Sequence, residues 1–296
     1  MTTWLITGAS RGIGRELTEQ LLARGDRVAA TLRRPEQLDD LANRYGDRLW
    51  RRRLDVTDTA QIDQVMSQAF ADHERIDVVV SNAGVGVFGA AEDLTDEQVQ
   101  ATITTNLTGS IQLARRAVPH LREQGGGVLV QMSSMGGHIT FPGFAIYHAT
   151  KWGVEGYFES LATEIAPFGI KTVLVEPGMV RTSFYDAAQR VPLSEPYQGG
   201  PADMPEIKLE DMVGSQSGVA HATIEAALSD DPPLRLLLNS DAYEAVTTTV
   251  RDRLTSFEKQ RDTAYAADAE WGVAEEFLDH DKCRRPVPGA ESRSSA

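Results

Sequence analysis

The chain has 296 residues, of which 41% are apolar and 24% are charged, proportions typical of a soluble globular protein. Its formal net charge of −14 at pH 7 argues against a nucleic-acid or membrane-surface binder, because both of these anionic partners require a basic face. No apolar run approaches the roughly 20 residues that span a bilayer, and the N-terminus lacks a secretory pattern. The single cysteine, Cys283, cannot form an internal disulfide, so we expect a cytoplasmic protein.

Short apolar runs alternate with longer segments of helical periodicity along most of the chain. Most of these runs are too continuously apolar to have one solvated face, which favours parallel strands covered on both sides. The alternation predicts an α/β fold with one doubly wound domain, in which helices cover both faces of a parallel sheet of about seven strands. The predicted strands are 3–7, 27–32, 53–56, 76–81, 127–133, 170–176 and 234–239, and the predicted helices are 12–24, 36–44, 59–73, 95–123, 147–167 and 217–229.

Two regions interrupt this alternation. Residues 181–216 are rich in proline and far longer than an ordinary connection, so we interpret them as a candidate lid over the substrate. We expect the domain to span residues 1–255 and to be followed by a C-terminal extension, 256–296. The last segment, 286–296, has the composition of a disordered tail.

The first predicted strand leads directly into "TGASRGIG", in which Gly8, Gly12 and Gly14 precede a helical segment. Glycines at these spacings permit a tight turn and let backbone N–H groups approach a pyrophosphate, while the helix N-terminus adds positive potential. The order of strand, turn and helix therefore favours a dinucleotide site over a simple tight turn.

The end of the second predicted strand indicates which dinucleotide is bound. An acidic residue there would accept hydrogen bonds from the ribose 2′-OH of NAD, but this chain has Arg33 and Arg34. Arg33 and the loop residue Arg11 are suited to clamp a 2′-phosphate through forked, charge-assisted hydrogen bonds. The sequence favours NADP(H) over NAD(H), the alternative being that both arginines are merely solvated.

Tyr147 and Lys151 stand at i and i+4 of a predicted helix, so both side chains lie on one face. Reduction of a carbonyl needs a proton donor for the developing alkoxide, and a cation beside a tyrosine lowers the pKa of its phenol. Ser134 lies at the end of a predicted strand, where doubly wound sheets bind ligands, with Ser133 as its rival. His148 points about 100° around the helix and is interpreted as a bystander.

Several motifs follow one another along the chain: "TGASRGIG", "LDV" (54–56), "NAG" (82–84), "TNLTGS" (105–110), "MSS" (132–134), "YHATK" (147–151) and "PGMVRT" (177–182). In this order and spacing they resemble the short-chain dehydrogenase/reductase family, over about residues 3–240. The resemblance implies a Rossmann-like domain. It also implies that the carbonyl is oriented by Ser134 and that Asn106 holds a water linking Lys151 to solvent. The implied catalytic residues are Ser134, Tyr147, Lys151 and Asn106.

The resemblance also implies which residues contact the dinucleotide. Asp55 and Val56 would contact the adenine, and Thr182 would hold the nicotinamide carboxamide. The expected cofactor-binding set is Gly8, Ser10, Arg11, Gly12, Ile13, Gly14, Arg33, Asp55, Val56, Asn82, Ala83, Gly84, Tyr147, Lys151, Pro177, Gly178, Val180 and Thr182. We expect no metal site.

These inferences predict an oxidoreductase that reduces a ketone or aldehyde to an alcohol, with hydride from NADPH and a proton from Tyr147. Alcohol oxidation, epimerase or dehydratase chemistry at the same site and a non-catalytic NADPH sensor are the alternatives. The residues expected to border the substrate are mainly apolar and aromatic, which favours a lipophilic substrate. The alternative is that they only hold the lid to the body. They lie in 85–88 and 135–144 and include Met179, Phe184, Tyr185 and Tyr197. The family commonly assembles through the helices corresponding to 95–123 and 147–167, which implies a homodimer or homotetramer.

Overall fold

The structure is a computed structural model that describes residues 1–204 and 208–267. Residues 205–207 of the predicted lid, most of the predicted extension and its expected disordered tail lie outside the described residues. The described chain divides into two compact units between Val246 and Thr247. Within the described residues, no helix is both long enough and apolar enough to cross a membrane.

A parallel sheet of seven strands forms the centre of the first unit. The strands are β1 (Thr3–Thr7), β2 (Arg27–Leu32), β3 (Leu49–Arg53), β4 (Val78–Ser81), β5 (Gly127–Met132), β6 (Ile170–Pro177) and β7 (Arg235–Leu238). Their order across the sheet is β3-β2-β1-β4-β5-β6-β7. Two short pairs, Val87–Phe88 with Gln189–Arg190 and Val180–Arg181 with Gly214–Ser215, lie outside this sheet. The predicted doubly wound α/β fold is confirmed.

Helices connect the strands and cover the sheet. They are α1 (Gly12–Arg24), α2 (Asp39–Tyr45), α3 (Thr59–Asp72), α4 (Asp96–Ile103), α5 (Gly109–Glu123), α6 (Ala145–Ile165), α7 (Phe184–Ala187), α8 (Gln216–Leu228), α9 (Ser240–Glu258) and α10 (Arg261–Ala266). A π-helical turn, Thr104–Thr108, joins α4 to α5. Single 3-10 turns occupy Pro35–Leu38, Gly46–Arg48, Ala91–Asp93, Met135–Gly137, Ala166–Phe168, Glu195–Tyr197 and Leu209–Asp211.

Alternating side chains of β1 show why the sheet needs helices on both faces. Trp4 and Ile6 are fully buried on one face, where they join a core that contains Leu17 of α1. Leu5 points to the opposite face, into a core that contains Phe158 of α6. Each fully buried apolar side chain of this size contributes about 1.5–3 kcal/mol to stability. A strand buried on both faces therefore appears in the sequence as a continuous apolar run.

Strand β3 begins earlier than the sequence predicted. The prediction was 53–56, whereas the strand is Leu49–Arg53 and Arg53 pairs with Leu32 at the end of β2. β3 lies at the edge of the sheet, where a charged side chain keeps its head in water while its stem packs. The guanidinium of Arg52 accordingly lies 4.3 Å from the ring centre of Trp50. Because three of its five residues are arginines, β3 does not appear in the sequence as an apolar run.

The strand order creates a crevice at the C-terminal edge of the sheet. β1 lies between β2 and β4, because the chain first builds outward to β3 and then crosses back to β4. The loops after β1 and β4 consequently leave the sheet in opposite directions. Ligands of doubly wound proteins bind at such a point. The topology therefore places the glycine-rich turn and the "NAG" motif side by side.

Candidate active site

A cleft of about 1040 Å³ follows the C-terminal ends of the strands. Every predicted site residue except Gly14 lines it, which brings the cofactor-binding and catalytic sets into one continuous space. These lining residues are Gly8, Ser10, Arg11, Gly12, Ile13, Arg33, Asp55, Val56, Asn82, Ala83, Gly84, Asn106, Ser134, Tyr147, Lys151, Pro177, Gly178, Val180 and Thr182.

The glycine-rich turn has the backbone that the sequence pattern requires. Gly8 has a φ of +69°, and a Cβ there would lie 2.9 Å from the Cα of Ala83. Gly14 lies behind the cleft, where a Cβ would lie 2.5 Å from the carbonyl oxygen of Gly8. Its role is close packing of α1 on the turn. The first turn of α1 contains no acidic residue, so its N–H groups and positive dipole end suit an anionic group.

Asn82 fastens the end of β4 to the end of β1. Its Nδ2 donates to the carbonyl oxygen of Thr7 at 2.9 Å, and its backbone N donates to Thr7 Oγ1 at 3.0 Å. The backbone N of Ala83 also donates to Thr7 Oγ1, at 3.2 Å. These bonds hold the two loops at the switch point of the sheet in a fixed relation.

Several arginines lie at the end of the cleft beside β2 and β3. Arg33 and Arg34 follow β2, and Arg53 ends β3 directly beside them. Within residues 1–204 and 208–267, no ion pair involves Arg11, Arg33 or Arg53. Arg53 is missing from the predicted site, because β3 was predicted too late in the chain. The run "RRR" before "LDV" was the available signal.

The remaining cofactor loops are shaped by their own hydrogen bonds. Asp55 Oδ1 accepts from the backbone N of Thr57 at 3.0 Å. Asp241, at the start of α9, accepts from the backbone N of Met179 at 2.7 Å. A Cβ on Gly178 would lie 2.2 Å from the Asp241 carboxylate, so only glycine fits this turn. Asp241 is distant from Met179 in the chain, so no local pattern predicts this contact.

Helix α6 presents Tyr147 and Lys151 to the cleft from one face. Lys151 is only 7% exposed, and its Nζ donates to the carbonyl oxygen of Met132 at 2.9 Å. The same Nζ lies 5.7 Å from the centre of the Tyr147 ring. Ser134 forms a hydrogen bond with Tyr147 and accepts another from the backbone N of Gly136 at 3.0 Å. The three side chains therefore form one group at the end of β5.

Burial shifts the pKa of both ionisable groups away from water-exposed values. Desolvation raises the pKa of Tyr147 to about 12, and the hydrogen bond with Ser134 opposes the rise. Desolvation lowers the pKa of Lys151 to about 8, and the charge of Glu155 opposes the fall. The prediction that Lys151 lowers the pKa of Tyr147 was wrong: burial raises that pKa, and the group that opposes the rise is Ser134. The phenol is thus protonated at neutral pH, as a proton donor must be.

Asn106 lies in the π-helical turn between α4 and α5 and is 1% exposed. Its Oδ1 accepts from the backbone N of Val85 at 2.8 Å, and its Nδ2 donates to the carbonyl oxygen of Val85 at 2.9 Å. Single π turns within helices are frequent at functional sites. Asn106 therefore fastens the loop after "NAG" to the helix beneath the cleft.

His148 lines the cleft but uses both ring nitrogens within the protein. Its Nε2 accepts from the backbone N of Phe141 at 2.9 Å, so its Nδ1 carries the proton that is donated to the carbonyl oxygen of Gly136, 3.0 Å away. Burial lowers the pKa of His148, which suits this neutral form. His148 clamps the loop after β5 to α6, a role that the sequence analysis missed.

An aromatic wall borders the cleft beside Tyr147. The ring centres of Phe88 and Phe144 are 4.2 Å apart, and those of Tyr147 and Phe184 are 5.7 Å apart. Burial raises the pKa of Tyr185, which also lines the cleft. Tyr197 was expected at this wall but does not line the cleft; its hydroxyl bonds to Glu92 instead. The other apolar lining residues here are Met135, Phe141, Met179 and Met204.

The fold and the site together define a nucleotide-dependent oxidoreductase, and comparisons with known proteins agree. The short chain dehydrogenase family profile matches residues 2–191. The chain is 38% identical over 270 residues to the oxidoreductase BOA17 of Botryotinia fuckeliana, covering 89% of this chain and 98% of the relative. This chain belongs to the short-chain dehydrogenase family and is an NAD(P)-dependent oxidoreductase.

Solved structures show the same fold and differ in their nucleotide. A short-chain dehydrogenase from Streptomyces avermitilis superposes with a TM-score of 0.83 at 36% identity, covering 90% of this chain and 99% of its own. A serine dehydrogenase complexed with NADP+ superposes with a TM-score of 0.69 at 25% identity, covering 79% of this chain and 93% of its own. A short chain dehydrogenase/reductase from Burkholderia phymatum in complex with NAD superposes with a TM-score of 0.72 at 21% identity, covering 88% of this chain and 95% of its own. At this identity the likeness shows the fold alone.

Proposed function

We propose that this protein reduces a lipophilic ketone or aldehyde to an alcohol with NADPH. The observation that carries the proposal is the hydrogen-bonded pair Ser134 and Tyr147, placed in the same cleft as the glycine-rich turn and close to buried Lys151. The turn fits a dinucleotide, because its positive-φ glycines and the uncapped first turn of α1 leave backbone N–H groups for a pyrophosphate. Bound NADPH supplies the hydride.

The chain's own residues then orient the carbonyl and deliver the proton. The Ser134 hydroxyl donates a hydrogen bond to the substrate oxygen and fixes the direction in which the carbonyl points. The Tyr147 hydroxyl donates its proton to that oxygen as negative charge develops there. Although burial weakens Tyr147 as an acid, an alkoxide is a stronger base than a phenolate, so the transfer stays favourable. Lys151 stabilises the phenolate that remains and binds the ribose hydroxyls.

The arginines support the preference for NADPH. Arg11, Arg33 and Arg53 line the nucleotide cleft without carboxylate partners among the described residues, in a chain with a net charge of −14. Nearby Arg51, by contrast, is paired with Asp39 at the start of α2. Unpaired guanidinium groups beside the adenosine end suit a 2′-phosphate, which a forked donor binds well.

The aromatic wall supports a lipophilic substrate. Phe144, Phe184 and Tyr185 border the space beside Tyr147, with methionines that adapt to irregular apolar shapes. Their contacts with one another also hold the lid to the body, so packing and substrate binding use the same surface. A keto acid or a sugar would find few charged partners on this wall.

A panel of ketones, aldehydes and alcohols tests the proposal, with NADPH consumption or formation read by fluorescence. We expect apolar ketones or aldehydes to be reduced, with higher kcat/KM for NADPH than for NADH. Oxidation of alcohols alone, or isomerisation without net cofactor turnover, would contradict the proposed direction. Tight NADPH binding without turnover of any compound would favour a sensor.

We also propose that the protein assembles as a homodimer or homotetramer through α5 and α6. Trp152, on the outer side of α6, is 41% exposed, a large apolar side chain at the surface on which the family commonly assembles. Light scattering should give a mass that is a multiple of the 32.3 kDa chain. Trp152→Glu should lower that mass to the mass of one chain. A mass of 32.3 kDa for the wild-type protein would contradict the assembly.

A further inference from the structure

A cluster of buried charged residues lies directly behind the proposed catalytic group. Glu155 of α6 and Glu176 of β6 are 5% and 2% exposed, and both face Arg235 of β7. Arg235 Nε lies 3.0 Å from Glu155 Oε2 and 3.4 Å from Glu176 Oε1. His138, after β5, places its Nε2 3.1 Å from Glu176 Oε2. Burying two carboxylates is costly unless partners of this kind offset their charge.

Glu155 connects this cluster to the residues of the cleft. Its Oε1 accepts a hydrogen bond from Ser133 Oγ, and it stands at i+4 from Lys151 on the same face of α6. Three consecutive residues at the end of β5 are thus held by one helix face. Met132 binds Lys151, Ser133 binds Glu155, and Ser134 binds Tyr147.

The fit around Glu155 is close. A Cβ on Gly137 would lie 2.7 Å from Glu155 Cγ, so the turn after Ser134 needs glycine to pass this side chain. Glu155 therefore contacts the serine-bearing turn from behind while its charge faces the lysine of the cleft. Removing the carboxylate would change both relations at once.

We propose that Glu155 is a positioning residue of the hydride-transfer site: it holds the Ser133–Ser134 turn against α6 and supplies the negative charge that faces Lys151. This inference rests on the proposed function for its effect on turnover. Its effect on Lys151 stands independently of any substrate.

A metal ion is the alternative occupant of the cluster. Ligand atoms of His138, Glu155 and Glu176 lie within 4.8 Å of one another, a spacing that also suits a divalent cation. Arg235 already places a cationic group between the two carboxylates. The chain itself thus provides the balancing charge, which favours charge support over metal binding.

Several titratable or charged groups surround Glu155. Lys151 and Glu159 lie one turn away on α6, His138 faces it from the turn after β5, Glu176 from β6 and Arg235 from β7. Burial and the charge of Glu176 raise the pKa of Glu155, while the Ser133 hydrogen bond, His138 and Arg235 oppose this. Arg235 and His138 therefore favour the carboxylate form that faces Lys151.

Lysine NMR tests the charge relation without turnover. The chain has five lysines, so protein labelled with ¹³C at lysine Cε gives a simple spectrum; they are Lys151, Lys171, Lys208, Lys259 and Lys282. The signal that is missing from the spectrum of Lys151→Arg belongs to Lys151. In Glu155→Gln we expect the titration midpoint of Lys151 to fall by about one pH unit, because a nearby anion is lost. Glu159→Gln is the matched control: it also removes a partner of Arg235, one turn further along α6, and should leave the midpoint unchanged. Equal midpoints in wild type and Glu155→Gln would overturn the proposal.

Kinetics test the positioning role. The basic limb of the kcat profile of Glu155→Gln should move down by the same pH unit, so that kcat falls up to about tenfold at high pH and recovers as the pH is lowered. An equal loss at every pH would overturn the charge role. Added Zn²⁺ or Mn²⁺ should change neither the titration midpoint of Lys151 nor kcat. If a metal ion changes either value in the wild type but not in Glu155→Gln, the cluster is a metal site instead.

A second variant keeps the test open if Glu155→Gln does not fold. Ser133→Ala removes only the hydroxyl that binds Glu155 and should lower kcat at least about threefold with unchanged NADPH affinity. A wild-type kcat in Ser133→Ala would overturn the proposal that Glu155 holds the Ser133–Ser134 turn in place. An inactive wild type would count against the proposed function alone, because the NMR titration still decides whether Glu155 acts on Lys151.

Discussion

Ser133 and Ser134 are adjacent in the chain, yet their hydroxyl groups bind different residues of α6. Ser133 donates to Glu155 behind the cleft, whereas Ser134 bonds to Tyr147 within it. Because the Ser133 hydroxyl donates to buried Glu155, the hydroxyl that stands beside Tyr147 is that of Ser134. This geometry favours Ser134 as the residue that orients the carbonyl.

Tyr147→Phe removes the proposed proton donor while keeping the ring. We expect kcat to fall by about 10²–10⁴, the range that general acid catalysis supplies. NADPH affinity, measured by fluorescence titration, should stay within about twofold, since the phenyl ring still packs against Phe184. Near wild-type turnover with normal NADPH binding would assign the proton donor to another group.

Arg33→Ser and Arg53→Ser should each weaken NADPH binding by about tenfold or more, because each removes a charge-assisted hydrogen bond to the 2′-phosphate. Affinity for NADH, which lacks that phosphate, should not change. Arg52→Ser is the matched control, because Arg52 lies on the same strand but faces Trp50 and Asp72. Equal losses for both nucleotides, or none, would contradict an arginine clamp.

The pKa of Lys151 predicts a basic limb in the pH profile. Burial lowers that pKa to about 8, so the cation predominates below about pH 8 and is lost above it. We expect kcat/KM for reduction to decline by about tenfold per pH unit above that point, because the lysine no longer stabilises the phenolate. A profile that stays flat to about pH 10 would show that turnover does not need the cation.

His148→Ala should destabilise the protein and loosen the substrate loop. It leaves the Phe141 N–H and the Gly136 carbonyl without their partner, at a cost of about 1–3 kcal/mol in the free energy of unfolding. Substrate KM should rise more than kcat falls, since the hydroxyl of Tyr147 is untouched. Urea unfolding and steady-state kinetics measure both effects, with exposed His221→Ala as the control. A larger loss in kcat than in KM would indicate a direct chemical role for His148.

The candidate lid should become resistant to trypsin when NADPH and substrate bind. Arg190 follows Phe184 and Tyr185 along the chain and pairs with Phe88, so a substrate against the aromatic wall would tighten this segment. Cleavage after Arg190 should slow at least about threefold, while cleavage after exposed Arg261 stays unchanged. Equal rates with and without ligands would argue against closure.

The parts of the fold that the sequence predicted well are those with local signals. Continuous apolar runs located every strand of the seven-stranded sheet except β3 within a residue or two. The glycine spacing predicted the turn before α1, since Gly8 requires a positive φ. The i, i+4 spacing placed Tyr147 and Lys151 together, because helical geometry alone decides which side chains share a face.

The misses arose where packing overrides composition. β3 escaped detection because an edge strand tolerates arginines, and Arg53 was lost from the predicted site with it. Tyr197 resembled a substrate contact but bonds to Glu92. His148 was interpreted as a bystander, although its ring clamps a loop that returns to it in three dimensions.

The sequence by itself determined the architecture and the glycine-rich turn and predicted the candidate catalytic residues, because each depends on periodicity or spacing within a short segment. Only the tertiary structure decided which serine meets Tyr147, that burial raises the pKa of Tyr147, and that Glu155 lies between the serine turn and Arg235. These outcomes depend on contacts between residues distant in the chain and on the loss of water around them, and neither is encoded at any one position.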